Sequence, residues 1–156
     1  MRKLLLSALA LLAGFALSPT LLAAGMDSGP AANAKPVDPD YEGGKKAVQA
    51  QDWSAALDSF SRVAAREPNN PDVQNYLGYV YRKSGNLDQA FKYYNEALRL
   101  DPGHRGAHEY IGEAYLMVNN VPKAEEHLAR LDKLCFLPCS EYSDLKKAVE
   151  KYKSSH

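Results

Sequence analysis

The sequence PDVQNYLGYVYRKSGNLDQAFKYYNEALRLDPGH occupies residues 71–104 and contains two helix-sized segments separated by a short turn. Asn70 and Pro71 together are typical of a helix N-cap followed by proline at the first helical position. Gly85 and Asn86 indicate the end of one helix and the cap of the next, and Pro102 cannot continue the second helix. These residues predict a helical hairpin over 71–104.

A step of 34 residues relates this hairpin to the sequence on either side of it. The columns that keep the step are Gly44, Gly78 and Gly112; Ala56, Ala90 and Ala124; Phe60, Tyr94 and Leu128; Val63, Ala97 and Leu131; and Pro68, Pro102 and Phe136. Three repeats follow, over 37–70, 71–104 and 105–138. We expect helices near 39–50, 53–66, 71–84, 87–100, 105–118 and 121–134. We expect the small residues where the two helices of one repeat cross, and the large ones between successive repeats.

The repeats resemble the tetratricopeptide repeat family, whose period is about 34 residues. The second copy carries the pattern best, in YLGYVY at 76–81 and in the later Ala90 and Tyr94. The first copy is degenerate, because Gly43 precedes Gly44 and Ala47 stands where a tyrosine is expected. The resemblance implies an all-α fold, an α-solenoid of three helix–turn–helix repeats, and a scaffold that binds proteins.

A seventh helix is predicted after the repeats, over 140–153. Tyr142, Leu145, Val149 and Tyr152 recur on one helical face, while charged residues occupy the rest. The open end of a repeat stack needs such a cover. We therefore expect a C-terminal capping helix and a repeat domain over 38–153.

The first residues have the layout of an export signal. Arg2 and Lys3 precede an apolar run over 4–17, and small residues end the segment at 23–25. We predict a signal peptide over 1–24 and a flexible linker over 25–37. An uncleaved N-terminal anchor is the alternative. After cleavage the protein is expected to be exported, periplasmic or secreted, and soluble, with no stable membrane insertion.

Composition and motifs limit the function classes. The chain has 156 residues with 19 basic and 19 acidic side chains, which argues against a nucleic-acid partner. It has no Gly-x-Ser-x-Gly, His-Glu-x-x-His or phosphate-loop sequence. We therefore expect no catalytic residues, no metal and no cofactor.

Two small clusters leave alternatives open. Cys135 and Cys139 are expected to form a structural disulfide in an exported protein, with free or switchable thiols as the alternative. His104 and His108 are four residues apart, a spacing that can bind Zn or Cu on one helical face. A structural role is the competing interpretation for both histidines. His127 is expected on the surface.

The resemblance implies that the first helix of each repeat lines a concave groove. It places there Tyr41, Lys45, Asn75, Tyr79, Arg82, Lys83, Glu109, Glu113 and Leu116, with Asp38, Val48, Gln49, Asp72 and Met117 beside them. Arg82 and Lys83 are expected to receive a carboxylate, and Leu116 is expected to be exposed. The positions that grip a C-terminal carboxylate in some family members hold Tyr41, Lys45, Tyr76, Gly106 and Tyr110, and none of these matches that pattern.

The expected function is a non-catalytic protein–protein interaction module of the bacterial cell envelope, an adaptor that binds a peptide segment or a protein surface in this groove. The alternative is a thiol- or metal-dependent periplasmic activity that uses Cys135 and Cys139 or His104 and His108. A homo-oligomer formed through the uncapped first repeat is a further alternative.

Overall fold

The computed structural model describes residues 38–137 and 139–155, and in this part of the chain every regular element is an α-helix. The helices are α1 (Pro39–Gln49), α2 (Trp53–Arg66), α3 (Pro71–Lys83), α4 (Leu87–Leu100), α5 (Arg105–Met117), α6 (Val121–Leu134) and α7 (Ser140–Ser155). The all-α solenoid is confirmed, and each helix begins and ends within two residues of the predicted bounds. The predicted signal peptide and linker, over 1–24 and 25–37, lie outside the described residues. None of the described helices is long and apolar enough to cross a membrane.

Side-chain caps fix where the helices begin. The carboxylate of Asp38 accepts hydrogen bonds from the backbone N–H groups of Asp40 and Tyr41, at 2.8 and 3.3 Å. Asn70 and Asn86 cap α3 and α4 in the same way. Such a cap satisfies backbone donors that have no partner within the helix. The predicted hairpins therefore rest on local hydrogen bonds as well as on packing.

Glycine allows the two helices of a repeat to approach closely. A Cβ built on Gly44 would lie 2.7 Å from the ring of Phe60, and one built on Gly78 would lie 2.5 Å from the ring of Tyr94. The third glycine differs from the prediction, because a Cβ on Gly112 would meet Leu145 of α7 at 2.6 Å. The capping helix thus packs where the second helix of the repeat was expected.

The capping helix closes the end of the stack. Leu145 and Val149 are buried with Leu116, Ala124 and Leu131 of the third repeat. A disulfide joins Cys135 to Cys139, whose Cα atoms are 5.8 Å apart. This bond links the C-terminal cap of α6 to the residue before α7. The position of α7 is therefore set by an apolar contact and by a covalent link.

Candidate functional site

A cavity of about 360 Å³ opens on one face of the solenoid. It is lined by Tyr41, Asp72, Asn75, Tyr76, Gly106, Glu109, Tyr110, Ser140, Glu141 and Asp144. The lining comes from α1, α3, α5 and α7, so it includes the first helix of each repeat. We call the surface formed by these four helices the inner face.

The inner face includes some of the predicted groove residues and adds others. Tyr41, Asn75 and Glu109, three of the predicted groove residues, line the cavity. Glu141 and Asp144 are among the charged residues that lie off the predicted apolar face of the capping helix. Their place in the cavity follows from the packing of α7 against α5, which sequence periodicity does not specify.

Arg82 is engaged within the protein and is not free to receive a ligand carboxylate. Its guanidinium lies 2.7 Å from a carboxylate oxygen of Glu113, and its Nε donates a hydrogen bond to the hydroxyl of Tyr94 at 3.3 Å. The rings of Tyr79 and Tyr110 lie 5.4 and 5.5 Å away. Only 10% of the side chain is exposed. The predicted residues Tyr79, Arg82 and Glu113 do lie together, but the charge of Arg82 is already paired with Glu113 inside the protein.

Lys83 is the exposed cation at this end of the inner face. Its Nζ lies 5.9 Å from the ring centres of both Trp53 and Tyr79, within the range of a cation–π contact. Trp53 packs edge-on against Tyr79, with ring centres 6.2 Å apart. Sequence reasoning missed Trp53 because it begins a second helix, and the resemblance assigns the groove to first helices.

Two other predicted groove residues have different surroundings. Lys45 donates to the carboxylate of Glu42 at 3.0 Å and stands 5.7 Å from the ring centre of Tyr41. Leu116 is 7% exposed, so the expectation of an exposed Leu116 is wrong. It packs into the apolar cluster under α7, whereas its neighbour Met117 is 53% exposed.

The cavity is acidic. Burial is the largest influence on Glu109 and raises the pKa of its carboxyl group to about 8, with Glu113, Asp144 and Glu141 acting in the same direction. Arg82 acts against this rise, but its guanidinium is already paired with Glu113. Among the described residues, Glu109 forms no ion pair. A protonated Glu109 is therefore favoured at neutral pH.

His104 and His108 do not form a shared site. His104 caps α5 by accepting from the backbone N–H of Ala107 at Nδ1, and its Nε2 lies 3.0 Å from Asp72. His108 instead meets His127, with their Nδ1 atoms 2.9 Å apart, so His127 is half-buried and not a free surface residue. The described part of the chain contains no group of three potential metal ligands. The two histidines of the predicted pair therefore have separate hydrogen-bond partners.

Two sequence profiles described as tetratricopeptide repeat match the chain, one over residues 41–105 and the other over 81–149. Together they span 41–149, which is more than half of the 156 residues. The chain belongs to the tetratricopeptide repeat family.

A curated relative is the human protein O-mannosyl-transferase TMTC3, which is 29% identical over 75 residues. The match covers 48% of this chain and 8% of that protein, so the chain spans less than a tenth of the relative's length.

Solved structures share the fold. The TPR2B domain of yeast Sti1 in a complex with pHsp70 has a TM-score of 0.68 at 18% identity, and the match covers 75% of this chain and 95% of that one. PcrH in complex with the chaperone binding region of PopD has a TM-score of 0.65 at 18% identity, with coverage of 74% and 90%. The Yersinia enterocolitica type III secretion translocator chaperone SycD has a TM-score of 0.66 at 17% identity, with coverage of 74% and 82%.

Proposed function

We propose that this protein is a non-catalytic interaction module that binds a peptide segment or a protein surface on its inner face. The observation that carries the proposal is the cavity lined by tyrosines and carboxylates from α1, α3, α5 and α7. Tyrosine supplies a large contact area at a low entropic cost and is enriched at interfaces. The solved relatives support this use of the fold, because one is in complex with pHsp70 and another with a segment of PopD.

We also propose that the protein acts in the bacterial cell envelope, exported by the segment over 1–24. The charged, apolar and small-residue regions of that segment have the order of a secretory signal. The disulfide between Cys135 and Cys139 supports the same compartment, since such bonds persist in oxidising surroundings.

The first test is capture of the partner by the native protein and by a double variant, Tyr79→Ala with Lys83→Glu. Lys83 is exposed and Tyr79 is half-buried, whereas Arg82 is paired with Glu113, and its loss would leave Glu113 without its cation. We expect cross-linked capture from the envelope fraction to fall at least tenfold, because an aromatic contact is lost and a charge is reversed. Circular dichroism checks that the double variant remains helical.

The matched control is Tyr93→Ala with Lys92→Glu on α4. This pair also joins a tyrosine and a lysine in contact, with Nζ 6.0 Å from the ring centre, but it lies on α4, which contributes no residue to the cavity lining, whereas Tyr79 and Lys83 lie on α3, which does. Capture by the control is expected to equal that of the native protein. Equal capture by the test variant, or an equal loss in the control, would reject the inner face as the binding site.

A further inference from the structure

The cavity on the inner face lacks a cation of its own. Four carboxylates line it, from Asp72, Glu109, Glu141 and Asp144, and no lysine or arginine is among its described lining residues. Two of these acids have a basic side chain nearby. Asp72 lies 3.0 Å from Nε2 of His104, and Glu141 lies 3.7 Å from Nε of Arg105.

The other two carboxylates differ in their surroundings. Asp144 pairs with Lys147, one turn further along α7, at 3.3 Å. Glu109 is left as the half-buried acid without an ion pair among the described residues, because Arg82 is held by Glu113. A half-buried carboxylate without a partner is unfavourable, so a cation placed beside Glu109 would favour its ionised form.

Asn75 gives an independent indication of a ligand. This side chain is 6% exposed and lines the same cavity, yet its buried Oδ1 has no hydrogen-bond partner. Buried polar atoms are nearly always hydrogen-bonded, and an exception of this kind is explained by a water, an ion or a ligand that supplies the donor, or by local strain. The amide group lies beside Gly106, where a Cβ would stand 3.2 Å from Asn75 Nδ2. The absence of a side chain at Gly106 leaves room beside the Asn75 amide group.

The aromatic lining suits a planar cation. Tyr41 and Tyr76 pack edge-on with ring centres 5.7 Å apart, and Tyr110 borders the cavity from α5. A guanidinium group has five N–H donors in one plane and stacks on aromatic rings, while its hydrogen bonds to carboxylates are charge-assisted. Lysine has the charge but not the planar shape.

We propose that the inner-face cavity binds an arginine side chain of the partner's peptide segment, with Glu109 and Asn75 as its acceptors. This inference rests on the proposed function and names the chemistry of the ligand. It replaces the expectation that Arg82 and Lys83 receive a carboxylate. A guanidinium group has the opposite charge to the C-terminal carboxylate that some family members grip, and this chain lacks the residues for that grip.

The test uses blocked nonapeptides of glycine, serine and leucine that differ only at the central residue. That residue is arginine, its neutral isostere citrulline, lysine or glutamate. Each peptide is titrated into ¹⁵N-labelled full-length protein and followed by amide chemical shifts. We expect the arginine peptide to shift the amides of Asn75, Gly106 and Glu109, and to bind at least tenfold more tightly than the citrulline peptide.

Two variants locate the contact. Glu109→Gln keeps the shape of the side chain and removes its charge, so the arginine peptide is expected to lose about tenfold in affinity, equivalent to about 1.4 kcal/mol. Asp58→Asn on α2 is the control, since Asp58 is exposed and forms no ion pair among the described residues. The Asp58→Asn variant is expected to bind the arginine peptide with the affinity of the native protein.

The pH dependence gives a second readout. Glu109 must lose its proton to pair with the guanidinium, so affinity should rise by up to tenfold per pH unit below about 8 and then level off. In Glu109→Gln the profile should be flat. The groups facing Glu109 are Glu113 on its own helix, Glu141 and Asp144 on α7, and Arg82 on α3.

Equal binding of arginine and citrulline peptides, preference for glutamate, or shifts confined to another face would overturn this inference. So would full affinity in Glu109→Gln. These outcomes leave the proposed function intact, because capture of the partner by the native protein and its loss in the Tyr79 and Lys83 double variant are measured separately. Failure of capture at the inner face would reject the proposed function itself.

Discussion

The buried His108 on α5 and the half-buried His127 on α6 form a pair in which one contact can set a pH dependence. Nε2 of His108 lies 3.1 Å from the carbonyl oxygen of Pro102, which can only accept, so this nitrogen carries the proton. Nδ1 of His108 must then accept from Nδ1–H of His127. A proton added to Nδ1 of His108 would place two N–H groups opposite each other.

This pair predicts a loss of stability in mild acid. Burial, followed by the neighbouring His108, lowers the pKa of His127 to about 4, and burial also lowers the pKa of His108. The unfolded chain therefore binds more protons than the folded one between about pH 6.5 and 4, and stability falls as the pH falls through that window. The charged neighbours on α6 are Lys123, Glu126 and Arg130.

Urea unfolding of the native protein and of His127→Gln at pH 7 and pH 4.5 measures this effect. The native protein is expected to lose about 1–2 kcal/mol more than the variant, a value reduced for solvent screening at the exposed edge of the ring. Parallel losses in the two proteins would show that His127 does not contribute.

At the scale of the element, the three helical hairpins turn in the same way. Gln51, Gly85 and Asn119 are each 34 residues apart, and they have φ angles of 58°, 82° and 59°. Only glycine adopts this left-handed region without strain. The first hairpin therefore has a strained residue where the second has the favoured one, and the third has asparagine, which tolerates the conformation.

Gln51→Gly is expected to stabilise the protein. Relief of the left-handed strain exceeds the extra entropy of glycine in the unfolded chain, so we expect a gain of about 0.5–1 kcal/mol and a rise in Tm of about 2–4 °C. Differential scanning calorimetry measures both.

The matched control for this change is Asn119→Gly. Asn119 Oδ1 accepts a hydrogen bond from the hydroxyl of Tyr152 on α7 at 2.6 Å, and glycine would remove it. No stabilisation is expected there, because the lost hydrogen bond offsets the relief of strain. A lower Tm for Gln51→Gly would contradict the assignment of strain to Gln51.

At the scale of the whole molecule, the stack is closed at one end by α7 and a disulfide. The first repeat has no corresponding helix among the described residues, and its outer contacts are ion pairs of Arg66 with Asp38 and Asp40 at 2.8 and 2.7 Å. These pairs are exposed, and pairs of this kind contribute little to stability. The third repeat and its cap are therefore expected to be the better protected end in amide hydrogen exchange.

The intact mass of the protein isolated from its native host tests the proposed compartment. We expect the chain to begin at Gly25 and to weigh two hydrogens less than the reduced form, because the signal is cleaved and Cys135 and Cys139 are oxidised. Recovery of the full-length chain with two free thiols would contradict export.

Much of the fold was predictable from the sequence because helix boundaries are local. The caps Asn70 and Asn86, the turn at Gly85 and the 34-residue period predicted the helices of the repeats within two residues. The assignment of Tyr41, Asn75 and Glu109 to the inner face came from the family resemblance. Each of these features depends on neighbours along one helix or on a fixed step between repeats.

The tertiary structure decided which of these side chains are available. Leu116 is buried because α7 packs over it, and Arg82 is paired because Glu113 on the next first helix lies within 2.7 Å. Glu141 lines the cavity because α7 packs against α5, and His127 contacts His108 because α6 packs against α5. A period specifies where a residue lies along its own helix. The side chain that covers it comes from another helix, and only the packed structure determines that.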